Sequence, residues 1–123
     1  MNKLSITGTE DTPAVLFDKD SGIFEISGRS LPEDAAEFYA PILQWLEDYA
    51  GSSNASTEFQ MKLEYFNTAS SKLLLDVLTK LEDIDNSKVL WFYHDDDEDM
   101  EEAGEEFSEI IEDVEFELKV IEE

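Results

Sequence analysis

The stretch Asn67-Thr68-Ala69-Ser70-Ser71-Lys72 gathers the side chains best suited to chemistry in this chain: three hydroxyls, an amide and an ammonium. It lies where an alternating apolar pattern ends and a helical one begins. At such a junction the first backbone N–H groups of the helix lack partners and the positive end of its dipole is exposed. In open α/β sheets the carboxyl ends of strands also face ligand crevices. Phosphate suits this place. A phosphothreonine at Thr68 would bring about −1.5 to −2 charges and three strong acceptors beside those donors, with Lys72 one turn on as a counter-charge. The same residues also support a plain structural role, in which Thr68 or Asn67 caps the helix for about 1 kcal/mol. Spacing alone weighs toward the cap.

Other constellations carry less. Asp95, Asp97, Asp99 and Glu106 fall at the first, third, fifth and twelfth positions of an EF-hand loop, but Met100 stands where the sharp turn needs glycine. A solvated helix start explains those carboxylates better. His94 beside Asp95 imitates a base with its orienting carboxylate, yet the chain has no nucleophile elbow and no phosphate-cradling glycine loop. Trp45 and Trp91 fall on apolar faces and read as packing. Asn54-Ala55-Ser56 has the form of a glycosylation acceptor and reads as a loop.

Composition narrows the classes further. The 123 residues are 41% apolar and 11% aromatic, enough for one domain with a real core. Thirty-two acidic against eight basic residues give a net charge of −24, which repels nucleic-acid backbones and anionic membrane surfaces. Cysteine is absent and histidine occurs once, which rules out disulfides, thiolate catalysis and thiolate or multi-histidine metal sites within the chain. No apolar run approaches the roughly 18 residues of a spanning helix, and Met1 to Gly8 does not read as a targeting segment. The expectation is a soluble cytoplasmic protein without a cofactor or metal. Half of the acidic residues lie between Asp95 and Glu123, either as a solvated face or as a docking surface for a basic partner.

The elements that must position the junction follow from hydrophobic periodicity. Leu4 and Ile6, then Val15-Leu16-Phe17, a turn at Asp18 to Gly22, and Ile23 to Ile26 predict strands with a hairpin. Ser30 and Glu33 form a possible capping box, with Pro32 in the first turn of a helix over about residues 32–50. From Thr57 to Phe66 the apolar residues Phe59, Met61, Leu63 and Tyr65 alternate as a half-buried strand. A helix follows from Ala69 to about Ile84. Val89 to Tyr93 is a continuous apolar run, read as a central strand with helices over both faces. Met100, Ala103, Phe107, Ile110 and Ile111 mark a third helix, and Val114 to Val120 a closing strand. The sum is a small single-domain α/β sandwich spanning residues 1–123, with a mixed sheet, an N-terminal hairpin and strand-helix repeats.

The segment Tyr65 to Lys72, followed by Leu73-Leu74-Leu75-Asp76, resembles the signature of the SiaC-type regulatory phosphoproteins, small acidic bacterial proteins with a STAS-like fold. The likeness extends to the Thr12-Pro13 region, the Gly22 turn, Gly28 to Glu33 and the acidic helix after Tyr93. It implies that Thr68 is a phospho-acceptor, with Asn67, Ser70, Ser71 and Lys72 as the phosphosite neighbourhood and partner contact. It implies no catalysis by the protein itself. It implies as partners a Ser/Thr kinase with a histidine-kinase-like ATPase fold, a PP2C-type phosphatase, and a diguanylate cyclase as target of the unphosphorylated form, hence cyclic-di-GMP signalling and biofilm or aggregation control. The alternatives are a constitutive acidic protein-binding module or nucleic-acid mimic, and a small hydrolase or metal-dependent enzyme using the Asp95 to Asp99 cluster.

Overall fold

A computed structural model describes residues 2–121; Met1 and the last two acidic residues, Glu122 and Glu123, lie outside it. Along the chain run β1 (Leu4–Ile6), β2 (Ala14–Asp18), β3 (Ile23–Ser30), α1 (Ala35–Ala50), β4 (Thr57–Phe66), α2 (Thr68–Leu81), β5 (Ser87–His94), α3 (Glu98–Ile110) and β6 (Glu115–Ile121). The six strands form one mixed sheet in sequential order. The first three pair antiparallel, and β3 to β6 pair parallel. The hairpin between β2 and β3 closes through Gly22, whose N–H donates to the Asp18 carbonyl at 2.9 Å and whose φ of +73° suits a residue without a Cβ.

All three helices pack on one face of the sheet. Register sets Ile26, Met61, Trp91 and Leu118 side by side, so they share a face. Against that face lie Trp45 and Tyr49 of α1, Leu74 and Leu78 of α2, and Phe107 of α3, joined in a single hydrophobic cluster. The expectation of helices on both faces of β5 is therefore corrected. A parallel sheet that grows strand by strand in one direction, with connections of one hand, delivers each helix to the same side. On the other face Leu90 is only 8% exposed without any helix above it, flanked in register by Gln60 and Glu117. Phe92 lies beneath the Lys62 ammonium, 5.2 Å from the ring centroid. Lys62 and Lys88 also pair with Glu25 and Glu117 at 3.6 and 2.8 Å. Long charged side chains shelter apolar groups here in place of a helix.

Two local expectations change as well. Asp34, not Ser30, caps α1, accepting from the Glu37 N–H at 3.1 Å, and the helix starts at Ala35. Ser30 is the last residue of β3 and fully buried. Tyr65 faces solvent, 52% exposed, because the register slips between Gly28 and Arg29: Gly28 pairs with Leu63, but Arg29 pairs with Tyr65. The extra residue in β4 reverses the alternation, turning Tyr65 outward and Phe66 toward Trp91 and Phe107.

Gly104 sets how closely α3 approaches the sheet. A Cβ there would stand 2.5 Å from Cδ1 and 2.8 Å from Nε1 of Trp91. That ring is fully buried and held by its N–H to the Met100 carbonyl at 3.0 Å, so it has little room to yield. Overpacking of about 1–3 kcal/mol outweighs the roughly 1 kcal/mol that alanine gains over glycine inside a helix. Gly104→Ala is expected to lower the urea midpoint. A raised midpoint would show that α3 can back away from the sheet at no cost.

Candidate functional site

The carboxyl ends of β3 and β4 meet the first turn of α2 around Thr68. Asn67 is the cap: its backbone is extended (φ −87°, ψ 174°) and its side-chain oxygen accepts from the Ser70 N–H at 2.8 Å. Thr68 is the first helical residue, exposed to solvent, and its hydroxyl enters no hydrogen bond among the described residues. The capping role and the chemically available hydroxyl thus fall on different residues. Ser71 is half-buried and Lys72 exposed, with no ion pair to Lys72 among the described residues.

Ser70 belongs to the support of this site. It is fully buried, so it cannot serve as a partner contact while this conformation holds. Its hydroxyl donates to the Ser30 carbonyl at 3.0 Å and accepts from the Ser30 hydroxyl at 2.8 Å. The Ser30 hydroxyl also lies 2.7 Å from the Tyr39 phenol. The Ser30 carbonyl accepts a second bond from the Asn67 N–H at 3.1 Å. Burial pushes the Tyr39 phenol above its ordinary pKa of 10.0, with the Ser30 bond acting in the opposite direction. Strand β3, helix α1 and the first turn of α2 are tied together directly beneath Thr68.

Loss of the Ser70 hydroxyl leaves a buried Ser30 donor without its acceptor, a cost of about 1–3 kcal/mol. Ser70→Ala is expected to be destabilised by that amount and to speed amide exchange at residues 67–71. Unchanged exchange there would mean that Asn67 holds the turn alone. From sequence Ser30 reads as a cap and Tyr39 as one position of an apolar helix face, so their hydrogen bond is not expected. Two signals pointed to their pairing: Ser30 continues the inward positions Phe24, Ile26 and Gly28, and Tyr39 places a phenol on the apolar face of its helix.

A groove of about 370 Å³ runs between α2 and α3, with Thr68 and Ser71 on its border. Lys72 and Leu75 line it from α2, Glu106, Phe107 and Ile110 from α3, and Phe66 from the end of β4. A larger polar cleft of about 480 Å³ opens at the opposite ends of the strands, near Thr57, Asn86 and Asp113. Its one cation, Lys88, is already engaged by Glu117.

Asp97 caps α3 by accepting from the Met100 N–H at 3.0 Å, and Glu98, Asp99 and Glu101 fill the first turn. The helix runs through the positions that an EF-hand would need as a loop, with Met100 buried. Among the described residues no group of three or more acidic, histidine or cysteine side chains is placed to hold a metal ion. The His94 carbonyl accepts from the Asp97 N–H at 2.9 Å, and His94 ends β5 opposite Ile121. Both tryptophans are buried in the core. No helix among the described residues is long and apolar enough to cross a membrane.

Comparison with known proteins gives a consistent result. The family model described as SiaC family regulatory phosphoprotein matches residues 6–121. An uncharacterized protein of Pseudomonas aeruginosa (strain UCBPP-PA14) is 32% identical over 113 residues, which cover 89% of this chain and 90% of that protein. The crystal structure of apo-SiaC from Pseudomonas aeruginosa matches with a TM-score of 0.86 at 30% identity, covering 97% of this chain and 99% of that one. A chain from the crystal structure of the diguanylate cyclase SiaD in complex with its activator SiaC, also from Pseudomonas aeruginosa, matches with a TM-score of 0.88 at 30% identity, covering 96% and 99%.

Proposed function

This chain belongs to the SiaC family of regulatory phosphoproteins, and on that premise we propose that it is a non-enzymatic switch whose binding to a diguanylate cyclase is controlled by phosphorylation at Thr68. The unphosphorylated form binds and activates the cyclase, and the phosphorylated form is released. A Ser/Thr kinase with a histidine-kinase-like ATPase fold adds the phosphate, and a PP2C-type phosphatase removes it. The protein acts in the cytoplasm, where ATP and the cyclase's nucleotide substrate are found. Asn67, Ser71 and Lys72 surround the phosphosite, and Ser70 holds its turn from below.

The observation that carries this reading is the division of labour at the start of α2. Asn67 does the capping, which leaves the exposed Thr68 hydroxyl free for a kinase. A phosphate at this first helical position lies beside the positive end of the helix dipole and within one turn of Lys72, so the fold accommodates it. The cyclase as target is supported by the relative whose solved complex pairs an activator with a diguanylate cyclase.

Phosphopeptide mapping of the protein purified from its own cells, with and without phosphatase treatment, tests the reading. Phosphate on the peptide containing residues 67–72 is the expected result. Its absence across growth conditions in a folded protein would leave Thr68 an exposed first-turn residue without a signalling role. The constitutive acidic-module alternative would then lead, and its affinity for a basic partner would collapse with salt whatever the state of Thr68.

A further inference from the structure

We infer that the free edge of β6 pairs with β6 of a second copy of this chain, antiparallel and centred on Leu118, joining the two sheets into one. The inference goes beyond the phosphorylation switch and does not depend on it.

The edge itself is built for pairing. Strand β6 ends the sheet, bonded on one side to β5 through seven consecutive positions without a register shift. It contains no proline or glycine to interrupt a ladder on its other side. The opposite edge, β1, has only three residues. The helical layer stops short of β6, because α3 makes its close approach over Trp91 of β5 at Gly104. Phe116 and Leu118 are consequently only partly buried, and Val120 is 47% exposed.

The side chains select the occupant and the register. Two copies that close on a two-fold axis within one continuous sheet must run antiparallel, with each residue facing one from the same face. Centred on Leu118, that axis sets Glu117 opposite Lys119 of the second copy, twice, and Phe116 opposite Val120, twice. Centred on Glu117 it would set two carboxylates face to face, and centred on Lys119 two ammonium groups. Within one chain Glu117 already bonds Lys119 at 3.0 Å and Lys88 at 2.8 Å, so the pair of chains extends an existing row of alternating charge. The net charge of −24 on each copy opposes association and is screened by salt. The axis also reverses strand direction, which leaves the two Thr68 junctions at opposite ends of the joined sheet and open to partners.

Sedimentation equilibrium of the full-length, unphosphorylated protein from micromolar to near-millimolar concentration tests the pairing. At about 0.15 M salt, where charges are screened beyond about 8 Å, the mass is expected to rise from 14.0 kDa toward twice that value. Glu117→Lys and Lys119→Glu each set like charges opposite, and each is expected to lower the association constant by about tenfold or more. Mixing the two variant chains restores unlike pairs and should restore association. Circular dichroism checks that both remain folded. The chain has no cysteine, so Leu118→Cys reports the axis directly: under mild oxidation it should form a linked dimer at least about tenfold faster than Val120→Cys, although Val120 is the more exposed. A mass that stays at 14.0 kDa throughout, folded charge variants that associate like wild type, or faster linking through Val120→Cys would each overturn the inference. In the first case Glu117 and Lys119 serve to keep the edge from pairing.

Discussion

Full phosphorylation of Thr68 is expected to lower affinity for the cyclase by about 100-fold or more, while Thr68→Ala is expected to bind like the unmodified protein and to resist the kinase at this position. The size follows from what the phosphate replaces. Thr68 presents a small neutral hydroxyl on an exposed first helical turn. The modification adds about −1.5 to −2 charges to the wall that carries Lys72, and like charges brought together across an interface cost several kcal/mol. The fold itself is left intact, because the helix terminus favours the anion and Asn67 retains its bond to the Ser70 N–H. Far-ultraviolet circular dichroism is therefore expected to be unchanged as binding is lost. Thr68→Asp carries one charge on a shorter side chain and is expected to lose only about tenfold. A calorimetric titration of the three forms reads these differences directly. Equal affinities for the phosphorylated and alanine forms would contradict the account.

Trp91→Ala is expected to cost about 3–5 kcal/mol, the range for removing a large buried aromatic side chain. For a domain whose whole stability is of the order of 5–15 kcal/mol, this is enough to populate unfolded chain under mild conditions. Trp91 is fully buried, its indole N–H donates to the Met100 carbonyl at 3.0 Å, and its ring lies 5.5 Å from Phe107 and 6.1 Å from Phe116 between centroids. It is the main support of α3, with the helix lying against it at Gly104. Trp91→Phe keeps much of the apolar bulk but removes the indole N–H donated to the Met100 carbonyl, for about 0.5–1.5 kcal/mol. Urea unfolding ranks the two variants, and amide exchange should show α3 opening first in Trp91→Ala. A loss below about 1 kcal/mol for the alanine variant would mean that α3 is held elsewhere.

The junction at Thr68 was legible because strand and helix impose different apolar periods, and the change of period between Tyr65 and Leu74 leaves few residues to serve as the boundary. Which of Asn67 and Thr68 caps the helix was not legible. Both residue types favour that position, and the choice depends on backbone angles that differ by a single residue. The element order was readable in the same way, since long periodic segments report their own type. The side of the sheet taken by each helix was not, because it depends on strand order, which local pattern does not encode. Leu90 and Phe92 shared an apolar run with Val89 and Trp91, yet Lys62 shelters Phe92 from a neighbouring strand. Tyr65 kept the alternation in sequence and lost it in space through one extra residue in β4. The Ser30, Tyr39 and Ser70 cluster joins three segments distant in sequence, so only tertiary structure brings it together.

On helix α3, Glu106 lines one side of the groove that Thr68 borders. The decisive measurement is a pair of titrations on a single preparation of the phosphorylated protein, before and after complete phosphatase treatment, against the purified diguanylate cyclase. Negligible binding before treatment and full affinity after it are expected, with cyclase activation returning in step. Equal affinity in the two titrations, with removal of phosphate from Thr68 verified by mass, would contradict it.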